Sequence, residues 1–165
     1  METLGCSNNQ LSNLDVTNNP ALKTLSFYSN PMGSIDVTQN SLLENLDCVD
    51  AQLTVLDVTQ NPELIELQAY DNSLTSLDLS NNVKLVELFI EDNQITSLDV
   101  SKNIVLEDLS CANNALTSLN MRNGNITNFN NNDFDIRNNP GLTCVAVDDV
   151  AYAITNFTKK DATTI

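Results

Sequence analysis

The sequence predicts a repeat solenoid, mainly β, whose stacked coils carry two parallel sheets and close at the C-terminal end with a short helical cap. Three observations predict it. A 21-residue unit recurs in five unbroken copies that begin at Leu11, Met32, Leu53, Leu74 and Ile95, and a fixed period of that size marks supersecondary units stacked on their neighbours. Inside each unit apolar and polar residues alternate over short stretches, the period of a strand with one buried face. Asn returns at two fixed positions, and a chain of 165 residues with 23 Leu and 26 Asn has the bias that a repeat produces.

Numbering each unit from 1, apolar residues fill position 1, position 4 (Leu14, Ile35, Leu56, Leu77, Leu98) and position 6 (Val16, Val37, Val58, Leu79, Val100). Position 9 is always Asn: Asn19, Asn40, Asn61, Asn82 and Asn103. The second half repeats the grammar. Leu occupies position 12 (Leu22, Leu43, Leu64, Leu85, Leu106) and position 15 (Leu25, Leu46, Leu67, Leu88, Leu109), and position 17 is small or apolar (Phe27, Cys48, Ala69, Ile90, Cys111). Position 20 carries Asn30, Asn72, Asn93 and Asn114, with Ala51 the exception. So short a unit has no room for two strands and a long helix. Each coil is expected to run strand, tight turn, strand, tight turn, with both strands extended into parallel sheets along the solenoid at about 4.8 Å per coil. The two Asn rows are expected to form ladders, their amides bonding backbone groups that the turns leave unpaired.

The solenoid is assigned to residues 1–147: a half repeat over 1–10, five repeats over 11–115 and an irregular last coil over 116–147. After Leu116, Leu119 and Met121 the pattern loosens into RNGNITNFNNNDF, where Gly124 and the Asn run favour turns and left-handed backbone. The grammar is then read as returning, with Phe134-Asp135-Ile136 at positions 4 to 6, Asn139-Pro140 at 9 and 10, and Leu142, Val145 and Val147 at 12, 15 and 17. Residues 148–165 form the expected cap, since Val150, Ala151, Ile154 and Phe157 lie at helical spacing behind Asp148 and Asp149, which favour a helix N-terminus. No matching cap precedes Met1, so that end is expected to expose a parallel-strand edge open to end-to-end self-association unless another segment covers it.

Segments such as LTSLDLSNNVKLVELFIEDNQ (74–94) and ITSLDVSKNIVLEDLSCANNA (95–115) resemble the short, 21-residue class of bacterial leucine-rich repeats, common in surface and secreted proteins of Bacteroidetes and internalin-like in the broad sense. The resemblance covers nearly the whole chain, and the ending NNPGLTCVAVDDVAYAITNFTKKDATTI resembles that family's usual terminal segment. It implies a right-handed leucine-rich repeat solenoid, a binding role and an extracellular or cell-surface location. It also implies a downstream Cys as the partner of Cys144, which this sequence does not contain.

Composition narrows the chemistry. Twenty-two acidic residues against 7 basic ones give a net charge of -15, which disfavours nucleic acid and anionic lipid surfaces, and no apolar run is long enough to insert in a membrane. The absence of His removes the commonest general base and most transition-metal sites. No catalytic residue, cofactor or metal site is therefore assigned, and the chain is expected to be non-enzymatic. Cys6, Cys48 and Cys111 all fall at position 17, roughly 10 to 24 Å apart along the ladder, too far for disulfides and buried as small hydrophobes. Cys144 is placed at outward position 14 beside the cap.

Two outward rows remain. Asp15, Asp36, Asp57, Asp78 and Asp99 at position 5 form a single file whose neighbours repel by roughly 0.8 kcal/mol in water and about 3 kcal/mol at an effective dielectric of 20. Hydroxyl and backbone donors, with Thr17, Thr38, Thr59, Ser80 and Ser101 beside them at position 7, are expected to offset that cost, and calcium bridging is the alternative. Positions 14, 16 and 18 of the other sheet vary from coil to coil, as a recognition surface does. The candidate ligand contacts there are Tyr28, Asp47, Glu66, Gln68, Tyr70, Glu87, Phe89, Glu91 and Asp108, flanked by Asp50, Asp71 and Asp92. The function expected is a binding or adhesion module recognising a protein or peptide, or a glycan, through that face. The rival readings are an accessory repeat domain of a larger secreted enzyme and a structural spacer.

Overall fold

The computed structural model describes residues 1–130 and 132–161. Six parallel strands form the main sheet: β1 (Thr3–Gly5), β2 (Thr24–Ser26), β3 (Asn45–Asp47), β4 (Glu66–Gln68), β5 (Glu87–Phe89) and β7 (Asp108–Ser110), in that spatial order. Their register follows the period without a slip. Thr3, Thr24, Asn45, Glu66, Glu87 and Asp108 are successive partners, each 21 residues on from the last. The Leu in the middle of each strand from β2 onward points inward and is fully buried, because period-two alternation puts positions 15 and 17 on one side and 14, 16 and 18 on the other.

Between the two sides of the coil lies one continuous core. Its rows are the apolar positions read from the sequence, and Phe27, Cys48, Ala69, Ile90 and Cys111 at position 17 are all sealed from solvent. Burial pushes the Cys48 and Cys111 thiols far above their ordinary range, Cys6 is half-buried, and all four cysteines are free.

The second sheet is shorter than expected. Among the described residues it holds three parallel strands, β6 (Ser97–Asp99), β8 (Ser118–Met121) and β9 (Val145–Val147), all at the C-terminal end. In the earlier coils this side is tied by the Asn at position 9. Asn61, for example, donates through Nδ2 to the carbonyls of Val37 at 3.0 Å and Asn40 at 2.9 Å in the coil before. Asn40, Asn82 and Asn103 repeat the arrangement.

The ladder at position 20 is more fully bonded. Asn93 Nδ2 donates to the carbonyls of Ala69 (2.9 Å), Ile90 (3.2 Å) and Glu91 (3.1 Å), while its Oδ1 accepts from the Leu74 N–H at 2.9 Å. At position 9 the Oδ1 atoms of Asn40, Asn61, Asn82 and Asn103 are buried and have no hydrogen-bond partner among the described residues. The two rows look alike in sequence and differ in what they satisfy.

Position 19 explains the turn that follows each main strand. Asn8, Ser29, Asp50, Asp71, Asp92, Asn113 and Asn138 all have φ between 49° and 58°, the left-handed region that Asn and Asp tolerate best among residues with a side chain. The Asp residues there answer first to the backbone.

The last coil corrects the sequence frame by half a unit. Asp135 bridges Ser110 of the main sheet, so Phe134, Asp135 and Ile136 sit at positions 15 to 17 rather than 4 to 6. Asn139 bonds as a position-20 Asn, donating to the Cys111, Ile136 and Arg137 carbonyls and accepting from Leu116 N–H. Leu142 likewise belongs to the first half of a unit, since Val145 and Val147 pair with Leu119 and Met121 on the second sheet. Cys144, just before β9, is exposed on that second side and not at position 14. Both halves of the unit spell nearly the same pattern, so the irregular segment erased the phase.

The cap is α1 (Val150–Asn156), opened by Asp149, whose carboxylate accepts from Tyr152 N–H at 2.9 Å. Its packed side differs from the one expected. Val150 and Ile154 are 59% and 58% exposed, whereas Tyr152, Ala153 and the following Phe157 turn to the core. Phe157 stacks on Phe134 with ring centroids 4.0 Å apart, and Phe129 meets both edge-on, so an aromatic plug closes the end of the solenoid. No helix among the described residues is long and apolar enough to cross a membrane.

Candidate binding face

The outward side of the main sheet brings the sequence-named residues onto one surface. Position 14 contributes Glu66, Glu87 and Asp108 as direct neighbours in register, and position 16 contributes Asp47, Gln68 and Phe89 in the same way. Position 18 adds Tyr28, Tyr70 and Glu91 on the turn beyond. Tyr28 is 37% exposed, while Tyr70 and Phe89 are half-buried and lie against the sheet. Val49, between the two tyrosines in its row, is buried, and Ser110 and Ala112 are buried toward the C-terminal end.

Some of these groups are already engaged. Asp47 accepts from Ser26 Oγ at 2.9 Å, and Gln68 donates to Glu66. Others are engaged through one oxygen only: Ser110 bonds the Glu91 carboxylate and Asn130 that of Asp108, while Glu91 Oε2 and Asp108 Oδ1 are buried without a hydrogen-bond partner among the described residues. Desolvation, reinforced by Glu66, Asp108 and Asp133, holds the Glu87 carboxyl above its ordinary value, and desolvation does the same to Glu91 and Asp108. Asp71 is raised by desolvation and by Asp92 and Asp50 on either side of it. The Tyr70 hydroxyl is raised by desolvation and then by Asp47, Glu91 and Asp71. Asp133 and the Asp135–Arg137 ion pair join this face only because of the half-unit correction, and the frame read from sequence had put them elsewhere.

The opposite Asp row is chemically different. Asp57 Oδ1 accepts from Thr59 N–H at 2.9 Å and from Thr59 Oγ1 at 2.7 Å. The same pair of bonds recurs at Asp15 and Asp36. Bonds from the hydroxyl and N–H two residues on hold all five carboxyls, Asp15, Asp36, Asp57, Asp78 and Asp99, below the usual range. Among the described residues no group of three or more His, Cys, Asp or Glu side chains is placed to hold a metal ion.

An apolar hollow that the sequence reading missed lies beneath α1, lined mainly by Ile136, Val145, Val147, Ala153, Ile154 and Phe157 with Cys144 at its edge. The signal for it was divided between two segments whose relative placement depended on the lost phase.

No protein-family model matches the chain, and no curated protein matches it. Solved structures do. The functional domain of InlJ from Listeria monocytogenes, which includes a cysteine ladder, is 31% identical with a TM-score of 0.59, over 88% of this chain and 34% of that one. Internalin C2 from Listeria monocytogenes is 18% identical with a TM-score of 0.74, over 96% and 68%. A Leptospira interrogans leucine-rich repeat protein is 20% identical with a TM-score of 0.68, over 96% and 41%. The chain is a leucine-rich repeat solenoid with the 21-residue unit of these bacterial proteins. It spans about a third of the InlJ domain and less than half of the Leptospira protein.

Proposed function

We propose that the chain is a non-catalytic module that binds a protein or peptide on the outer face of its main sheet, as part of an adhesive protein at the bacterial surface or outside the cell. One observation carries the reading: positions facing the core stay apolar and positions 9 and 20 stay almost entirely Asn from coil to coil, whereas positions 14, 16 and 18 range over charged, polar, aromatic and small residues. Repeated positions answer to a fold that is the same in each coil. Variable outward positions are free to answer to a partner. Tyr70 and Phe89 suit such a face, since an aromatic side chain brings large contact area at little entropic cost. In InlJ a cysteine ladder is part of the functional domain; here Cys6, Cys48 and Cys111 share one row but are separated by Phe27, Ala69 and Ile90, so the row serves as core.

The test is capture of ligands from protein, peptide and glycan arrays by the native chain, followed by the same measurement on Tyr70→Ala and Phe89→Ala. Each should weaken binding by about 1 to 3 kcal/mol with the melting temperature nearly unchanged, while Asp57→Asn on the other side binds normally. Loss of binding through Asp57→Asn alone would move the site to that side.

A further inference from the structure

We infer that the hollow beneath α1 is a second binding site, one that takes a medium-chain fatty acid with its tail in the hollow and its carboxylate on Lys160. It uses none of the residues of the face proposed above and stands without it.

The cap helix supplies the first argument. A helix that closes the end of a solenoid needs one apolar side, and the seven residues of α1 carry two. Tyr152, Ala153 and the following Phe157 pack on the core, where Phe157 completes the aromatic plug. Val150 and Ile154, one turn apart, take no part in that closure and remain 59% and 58% exposed. Helix formation does not call for them either, since both are β-branched and weaker helix formers than Ala.

The shape of the hollow is the second argument. It has a volume of about 210 Å³, walled by the buried Ile136 and Phe157, by Val145 and Val147 of β9, and by Val150 and Ile154 of α1. A cavity of about 150 Å³ with aliphatic and aromatic walls holds a benzene ring, so this one has room for a chain of roughly six to eight carbons. The two exposed side chains of α1 thus form the outer wall of a space that the aromatic plug leaves open.

Charge selects the head group. Twenty-two residues of the chain are acidic, yet among the described residues none lines the hollow, whose one charged residue is Lys160. Lys160 takes part in none of the ion pairs among the described residues. The carboxylate next to it in sequence, Asp161, is held by the Asn138 and Asn139 N–H groups at 3.0 and 2.9 Å. An aliphatic amine would meet a like charge and no acid. A peptide segment would bury N–H and C=O groups against walls that offer them no partner. A fatty acid avoids both costs, because its tail has no polar atom and its carboxylate meets an ammonium group.

Titration calorimetry with octanoate and hexanoate at physiological salt tests this, read together with maleimide labelling of Cys144 at the edge of the hollow. Octanoate should bind roughly fifteen-fold more tightly than hexanoate, the effect of two buried methylenes. It should slow the labelling of Cys144 and leave that of Cys6, at the other end of the solenoid, unchanged, while octylamine protects neither. Lys160→Gln should weaken octanoate about three-fold, the size of a half-exposed ion pair. Val150→Ala/Ile154→Ala, which trims only solvent-facing side chains, should weaken it roughly five-fold or more with the melting temperature unchanged. Octanoate that fails to bind at about 10 mM, or that binds the native chain and both variants alike, would overturn the proposal. Octylamine that protects Cys144 as well as octanoate does would overturn the anionic head group and the fatty acid with it. A native chain found dimeric by light scattering, monomeric in Val150→Ala/Ile154→Ala and indifferent to octanoate would overturn it too, by giving the hollow to a second copy.

Discussion

Replacing Asn93 by Ala should cost far more than the same change at Asn61, although both are buried Asn residues of a ladder. Asn93→Ala removes four hydrogen bonds. Its three carbonyl acceptors keep other donors, namely Asn72 for Ala69, Asn114 for Ile90 and the Asp71 N–H for Glu91. The Leu74 N–H does not: its hydrogen bond is to Asn93 Oδ1, and Leu74 is fully buried. At about 1 kcal/mol net for each of the two short bonds and 1 to 3 kcal/mol for an orphaned buried N–H, the expected loss is roughly 3 to 5 kcal/mol. Asn61→Ala removes two bonds, but Val37 and Asn40 retain the N–H donors of Asn40 and Leu43, and the variant also deletes a buried oxygen that had no partner. Those contributions nearly offset, leaving a cost of about 1 kcal/mol. Urea unfolding of the two variants measures the difference, and amide exchange at Leu74 should accelerate only in Asn93→Ala. Equal costs, or a greater cost at Asn61, would refute the asymmetry between the ladders.

Leu67→Ala, in the middle of the main sheet and fully buried, should destabilise by about 2 to 5 kcal/mol in the same urea titration, because neighbouring coils cannot collapse into the gap without breaking register. Stability should depend on pH in two opposing windows. The depressed position-5 carboxyls stabilise the fold above their unfolded value of about 3.9 and lose that contribution as pH falls through their lower folded values. The raised Asp71, Glu87, Glu91 and Asp108 act with the other sign, contributing fully below about pH 4 and losing it as pH rises through their folded values. The urea midpoint should therefore climb as pH drops from 7 toward about 4 and fall beyond it, with Glu87→Gln flattening the climb; a midpoint constant over that range would refute the assignment. Thiol labelling of the native chain should modify Cys144 first and half-buried Cys6 slowly, with Cys48 and Cys111 reacting only on unfolding.

The period, the core rows, the two Asn ladders and the register of the main sheet were all written in the sequence. In a solenoid each coil packs on a copy of itself, so the tertiary contacts of Leu25, Leu46 and Leu67 repeat as faithfully as the residues do. The outward row containing Tyr70 and Phe89 followed from the same alternation. The left-handed turn is written there too, in the Asn and Asp residues at position 19. Tertiary structure alone decided the phase of the last coil. Phe134-Asp135-Ile136 and Val145-Ala146-Val147 each fit either half of the unit, and only pairing with Ser110 and Leu119 distinguishes them. It also decided which side of α1 is buried, since that depends on where the Phe129, Phe134 and Phe157 rings meet. The asymmetry between Asn61 and Asn93 belongs there as well, because identical side chains differ only in which backbone groups the folded turn places within reach.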